Sequence, residues 1–207
     1  MRVNPAGTSV GDVARALERG EVVGIPTDTV YGLAASLAQA VAVDRLFALK
    51  GRPRGLAIPV LVADLLQAED LAGGADARLT ALADRFWPGA LTIAIRRRGG
   101  PDAVLGGDPA TVGVRCPDDD VVRALCRWVG PLAVTSANRH GAPPATTAGE
   151  FAAILGDEVG VVYDGGRRDL APSTVVSIVE EVPRCLREGT VRFAEVAALL
   201  AEQHEAT

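Results

Sequence analysis

Short apolar runs at residues 21–26, 57–62, 91–96, 111–115, 131–137, 159–164 and 173–179 alternate along this chain with stretches of helical periodicity. That alternation constrains the fold more than any other feature. Runs of that length bounded by Gly, Pro, Asp or Ser read as strands, and strands alternating with helices define an α/β class with a twisted sheet. Several of the runs lie too close together for a helical crossover, so antiparallel pairs must be mixed with parallel ones. The expected fold is therefore an open, twisted, mixed sheet flanked by helices. Nothing in residues 1–207 looks like a linker, and no internal repeat is visible, so one domain is expected.

The helical stretches carry their own start and stop signals. Val10, Val13, Ala14 and Leu17 recur at helical spacing, with Ser9 and Asp12 as a capping box and Gly20 as the stop. A second helix covers residues 40–49, with Val43, Leu46 and Phe47 inward and Gly51 at its end. Others are expected over residues 75–86, 119–128, 147–155 and 193–202, the fifth opened by a Thr147/Glu150 capping box. The glycine-rich stretch at residues 99–110 reads as a mobile loop.

Composition excludes several functions. The formal charge of −5 argues against broad electrostatic binding of nucleic acid, which needs a basic face. Three scattered cysteines make no disulfide framework, and with only two histidines a His/Cys zinc site is not expected. The N-terminus lacks the apolar core of a signal peptide, and no apolar run approaches the ~20 residues of a membrane span. A cytoplasmic protein without a membrane partner is expected.

Three catalytic patterns fail on context. The GxSxG match at Gly7–Gly11 has no preceding strand to present Ser9, which reads as a helix cap. A Walker A loop needs lysine followed by Ser or Thr, and the only lysine is followed by Gly51. No two glycines stand two apart, so the dinucleotide fingerprint is missing as well.

What remains is a set of polar clusters at strand and helix ends. PTDTVYGL (residues 26–33) puts Thr27, Asp28, Thr29 and Tyr31 directly after a strand, where α/β sheets bind ligands; a polar turn with Asp28 capping its own backbone is the alternative. KGRPRG places Lys50, Arg52 and Arg54 at a helix end, where cations also complement the helix dipole. Of 21 basic residues, Lys50 alone is lysine, a compact ammonium where every other basic position carries a planar guanidinium. TSAN (residues 135–138) closes another strand, APSTVVSI begins one at Ser173 and Thr174, and LREG sets Arg187 beside a turn. The Arg96–Arg97–Arg98 run reads as a solvated strand end.

In this order the motifs PTDTVYGL, KGR, FWPGALT, TVGVR, TSAN and STVV resemble the YrdC-like family, in particular its stand-alone bacterial threonylcarbamoyl-adenylate synthases, over residues 9–192. The resemblance implies an open α/β fold with a concave basic pocket. It implies a nucleotidyltransferase that joins L-threonine, bicarbonate and ATP into threonylcarbamoyl-AMP and pyrophosphate. A separate transferase then carries the group to adenosine 37 of tRNA. It further implies that Lys50 and Arg52 act catalytically at the phosphates and the carbamate. Thr29, Arg115, Thr135 and Ser173 would hold threonine. Arg52, Thr111, Ser136, Ala137, Asn138, Ala145 and Arg187 would line ATP. Mg²⁺ would arrive on the nucleotide, with no protein metal cage. Leu56, Leu61, His140 and Ser177 stand where relatives often carry other polar side chains or smaller ones. Two alternatives stay open: a module making carbamoyl-adenylate from carbamoyl phosphate, and a non-catalytic binder of structured RNA.

Overall fold

The computed structural model describes residues 7–205, with side chains to residue 203. Seven helices and nine strands follow in the order α1 (Val10–Glu18), β1 (Val23–Ile25), β2 (Gly32–Ser36), α2 (Ala40–Lys50), β3 (Val60–Leu61), α3 (Leu65–Ala72), α4 (Ala77–Phe86), β4 (Leu91–Arg96), β5 (Thr111–Arg115), α5 (Asp120–Val129), β6 (Leu132–Ser136), α6 (Ala148–Leu155), β7 (Val161–Val162), β8 (Thr174–Ser177), β9 (Arg184–Arg187) and α7 (Phe193–Glu205) among the described residues. All nine strands form one sheet in the order β7-β1-β2-β6-β3-β5-β4-β8-β9. The pairs β1/β7, β3/β5 and β4/β8 are parallel and the other five antiparallel. The expected mixed sheet is therefore what forms.

Helix ends follow the local chemistry. Ser9 and Asp12 cap α1 reciprocally, Ser9 Oγ accepting from the Asp12 amide and Asp12 Oδ2 from the Ser9 amide. Gly51 ends α2 at φ 64°, a left-handed conformation that costs glycine nothing. At α6, Thr147 accepts from the Glu150 amide, but Glu150 reaches back to the Thr146 amide, one residue earlier than a regular capping box.

Two apolar layers sandwich the sheet, and their unequal extent makes the site. On one face α2, α3, α4, α6 and α7 bury Leu46, Leu71, Leu82, Phe151 and Val196 against Leu33, Val60, Ile93, Val114 and Val176. On the other face α1 and α5 bury Leu17, Val122 and Leu125 against Ile25, Ala34, Leu61 and Leu132. That second layer covers only the β1, β2, β6 and β3 end. Beyond it, no helix among the described residues packs on that face of β5, β4, β8 and β9.

The glycine-rich loop at residues 99–110, read as mobile from its sequence, is held to the body of the domain at several points. Arg97 donates to the Pro101 and Ala103 carbonyls, the Ile58 amide donates to Leu105 O, and Ala103 and Leu105 are buried. Arg97 is thus a loop anchor, while Arg96 stays exposed beside Glu180. Among the described residues no helix is long and apolar enough to cross a membrane.

Candidate active site

Strand alternation sends successive side chains to opposite faces. Since Ile93 and Val114 pair and point into the larger core, Thr92 and Arg115 stand one step along on the uncovered face. Ser173, just before β8, meets them there, its hydroxyl 2.9 Å from Thr92 Oγ1. Leu61, Val134 and Pro59 supply an apolar wall, and Gly32 lets β2 approach closely, a Cβ there lying 2.7 Å from Val134 Cγ1. The result is a cavity of about 440 Å³. That volume suits a small ligand.

The PTDTVYGL segment forms the turn between β1 and β2. Thr27 holds that turn, its hydroxyl accepting from the Thr29 and Val30 amides and donating to Val30 O at 2.7 Å. Asp28 therefore does not cap its own backbone. Its carboxylate reaches Arg115, 87 positions on, in an almost buried ion pair at 2.6 Å. Tyr31 Oη donates to Gly166 O and accepts from the Gly165 amide, and the Leu170 amide donates to Thr29 O. Those bonds draw residues 163–172 across one side of the cavity, so that Leu170 and Pro172 line it.

Three guanidiniums converge on this hollow. Arg52, Arg115 and Arg187 all line it. Partial burial, and then the charge of Arg187, lowers the pKa of Arg52; partial desolvation of its inner side, and then Arg115, lowers that of Arg187, whose outer side stays exposed. Each is anchored by the same edge. Arg52 donates from Nε and Nη2 to Leu56 O and Ala57 O, at 2.9 and 2.7 Å. Arg115 donates from Nε to Gly89 O and from Nη2 to Asp28. Arg187 donates from Nε and Nη2 to Ser173 O, and from Nη2 to Ser173 Oγ as well. Among the described residues, the Nη1 groups of all three make no hydrogen bond. Each guanidinium thus keeps Nη1 for an oxyanion, and Arg52 and Arg115, whose Nη2 makes a single bond, keep a second donor beside it.

Lys50 is placed differently from the sequence expectation. Its ammonium does not line the cavity. It is buried and donates to Ser136 O and Oγ, both at 2.7 Å, and to Asn138 Oδ1 at 2.5 Å. All three of its donors are spent. Lys50 therefore clamps the TSAN loop from behind, and Ser136 presents that loop to the cavity.

Of the expected site residues, Thr29, Arg52, Arg115, Thr135, Ser136, Ser173 and Arg187 share the cavity. Ala137 and Ala145 lie buried behind it, stitched by backbone bonds to Tyr31 and to each other. Asn138 is bound to Lys50 and to the Ala142 carbonyl. Thr111 begins β5, four residues before Arg115, and borders a different hollow beside Arg54 and the 99–107 loop. Of the departures, Leu61 faces the cavity, Leu56 contributes its carbonyl to Arg52, His140 is exposed, and Ser177 is buried in β8. The sequence assigns no role to Thr92 or Leu170, and it places Asp28 in a polar cluster at a strand exit, as part of a ligand site or a turn, without pointing to Arg115. The period-2 pattern of LTIAIR puts Thr92 opposite the core-facing residues and could have found it. Nothing local could have found Leu170.

Fold and cavity define an α/β protein whose uncovered sheet face gathers three guanidiniums around one hollow. The family model for Sua5, YciO and YrdC proteins, described as "Telomere recombination", matches residues 15–189, and the chain belongs to this family. It is 37% identical over 200 residues to the threonylcarbamoyl-AMP synthase of Bacillus subtilis, covering 94% of this chain and 57% of that protein. It is 38% identical over 186 residues to the putative threonylcarbamoyl-AMP synthase of Mycobacterium tuberculosis, covering 89% of this chain and 86% of that one. The structure of Pyrococcus abyssi Sua5 complexed with L-threonine superposes with a TM-score of 0.86 at 33% identity, over 92% of this chain and 56% of that one. The chain thus spans little more than half the length of the Bacillus and Pyrococcus relatives.

Proposed function

We propose that this protein condenses L-threonine, bicarbonate and ATP into threonylcarbamoyl-AMP, releasing pyrophosphate, as a single domain over residues 1–207. The observation that carries the reading is the convergence of Arg52, Arg115 and Arg187 on one cavity, each with its Nη1 unspent. The threonine amine captures the carbon of bicarbonate, or of the carbon dioxide in equilibrium with it, as a carbamate with net loss of water. A carbamate oxygen then attacks the α-phosphorus of ATP as pyrophosphate leaves. Attacker and target are both anionic. The barrier is therefore one of repulsion and positioning, which fixed cations lower without any enzymic nucleophile.

In this scheme Arg115 holds the threonine carboxylate. Thr29, Thr135 and Ser173 surround the amino acid, and Leu61 with Val134 receives its methyl group. Arg52 and Arg187 meet the carbamate and phosphate oxygens. Ser136 faces the nucleotide, while Lys50, Ala137, Asn138 and Ala145 support that wall from behind. Thr111, at the far end of β5, is left without a direct ligand contact.

Among the described residues no carboxylate lines the cavity, and Asp28, between the lining residues Thr27 and Thr29, is occupied by Arg115. Among the described residues no His, Cys, Asp and Glu cluster is arranged to hold a metal. The residues at hand thus suit Mg²⁺ carried on phosphate oxygens and water. The substrates are cytoplasmic metabolites, and the product passes to a tRNA threonylcarbamoyl transferase acting at position 37.

Purified protein with L-threonine, bicarbonate and Mg-ATP should release pyrophosphate, and omission of threonine should stop it. Pyrophosphate release driven by carbamoyl phosphate in place of threonine and bicarbonate would contradict the proposal.

A further inference from the structure

We infer that Asp28 is a positioning residue for the amino-acid site: it acts as a hydrogen-bond acceptor that aims the end-on edge of Arg115 at the substrate carboxylate. The inference rests on the proposed function and assigns a residue that makes no contact with the cavity itself. Three observations carry it. Thr27 holds the β1–β2 turn, which leaves the Asp28 side chain free of any local capping task. Its carboxylate is spent on Arg115 Nη2 at 2.6 Å, with both side chains almost buried. And Arg52 is fixed by backbone carbonyls alone and Arg187 mainly by one, whereas Arg115 depends on a side chain for half of its anchorage.

Charge and geometry pull in opposite directions here. The Asp28 carboxylate repels the carboxylate of a bound amino acid, so its charge alone would weaken binding. Its hydrogen bond fixes a side chain that otherwise samples many rotamers, which strengthens binding. The buried, single-partner arrangement favours geometry as the reason for Asp28. Asparagine and alanine separate the two effects: both remove the charge, and only asparagine keeps an acceptor oxygen at the same place.

The test is L-threonine binding by calorimetry, paired with kcat and KM for pyrophosphate release and a melting curve, on wild type, Asp28→Asn, Asp28→Ala and Asp28→Glu. Asp28→Asn should bind threonine at least as well as wild type. Asp28→Ala should weaken it by roughly 10- to 100-fold, the loss of one charge-assisted hydrogen bond. The rise should fall on the KM for threonine, with kcat at saturation and the KM for ATP little changed. Asp28→Glu, whose acceptor is displaced by one methylene, should also bind threonine more weakly, and it carries the test if the alanine variant does not fold. Equal threonine affinity in the Asn and Ala variants, or in Asp28→Glu and wild type, would overturn the inference. Wild type that binds no threonine would overturn the proposed function, and this inference with it.

Discussion

Lys50 and Ser136, 86 positions apart, are joined by two hydrogen bonds of 2.7 Å from one ammonium, to the serine carbonyl and to its hydroxyl. With the third bond to Asn138, the end of α2 grips the strand exit that carries Thr135 and Ser136 to the cavity. The amide of His140 also donates to Lys50 O, so the grip is mutual. A compact three-donor head on a flexible stem fits that buried spot. A planar guanidinium does not.

Lys50→Arg should therefore lower turnover by about 100-fold, the scale of an ångström-level displacement of positioning groups. Affinity for threonine should suffer less than kcat, because Lys50 bonds to Ser136 and Asn138 and to none of Thr29, Arg115, Thr135 and Ser173. Steady-state pyrophosphate release measures both, and wild-type kcat in this variant would show that the ammonium's shape is immaterial.

The same ammonium gives a pH signature. Burial, and then the charge of Arg52, lowers Lys50 from 10.5 to about 8. Below about pH 8 it is charged in the folded and unfolded states alike, and its desolvation cost is fully present. Between about 8 and 10.5 the unfolded chain holds the proton more firmly, so this group's contribution to stability rises with pH. The urea midpoint of wild type relative to Lys50→Met should climb across that window, while kcat falls as the neutral amine loses one of its three donors. A flat difference between the two proteins would contradict the buried ammonium.

Three guanidiniums facing one cavity repel one another until an anion arrives. Pyrophosphate or ATP should raise the thermal midpoint of wild type, and the rise should shrink with salt, as screening of charges requires. In Arg52→Ala the rise should largely vanish, whereas the ligand-free protein should melt close to wild type, since Arg52 anchors only to two exposed carbonyls. Differential scanning fluorimetry at two ionic strengths reads all of this.

Arg115→Ala should chiefly raise the threonine requirement, by roughly 10- to 100-fold for a charged hydrogen-bond partner. Competition assays with threonine should change while ATP dependence holds. An unchanged threonine dependence would remove Arg115 from the amino-acid pocket.

Gly32→Ala should push Val134 toward the ligand, since the new Cβ would lie 2.7 Å from Val134 Cγ1. The overpacking should cost about 1–3 kcal/mol of stability and raise the KM for threonine. Adding Val134→Ala should relieve the clash and recover part of the lost stability, which chemical denaturation can follow. The threonine KM should stay raised, because the methyl niche has lost its wall.

Much of this fold was legible because its signals are local. The run at residues 91–96 reads as a strand by alternation alone, and β4 has those bounds. Ser9 with Asp12, and Gly51, mark helix ends by side-chain and backbone chemistry that needs no tertiary partner. β2 was hidden because GLAAS is small and fully buried, without the alternation that marks a half-exposed strand. β9 was hidden for the opposite reason, all four residues being exposed at the sheet edge. In the site, the motif residues that meet in the cavity could be named, but not which of them touch it. Whether Lys50 points at a ligand or at Ser136, and whether Asp28 caps a turn or seizes Arg115, depends on partners 86 and 87 positions away.

The most direct test is mass spectrometry of the product formed from L-threonine, labelled bicarbonate and Mg-ATP by the wild-type chain. An adenylate carrying both threonine and the labelled carbon, lost in the Arg52→Ala/Arg187→Ala variant, is the expected result. Absence of any threonine-bearing adenylate from folded, anion-binding protein would contradict the proposed chemistry.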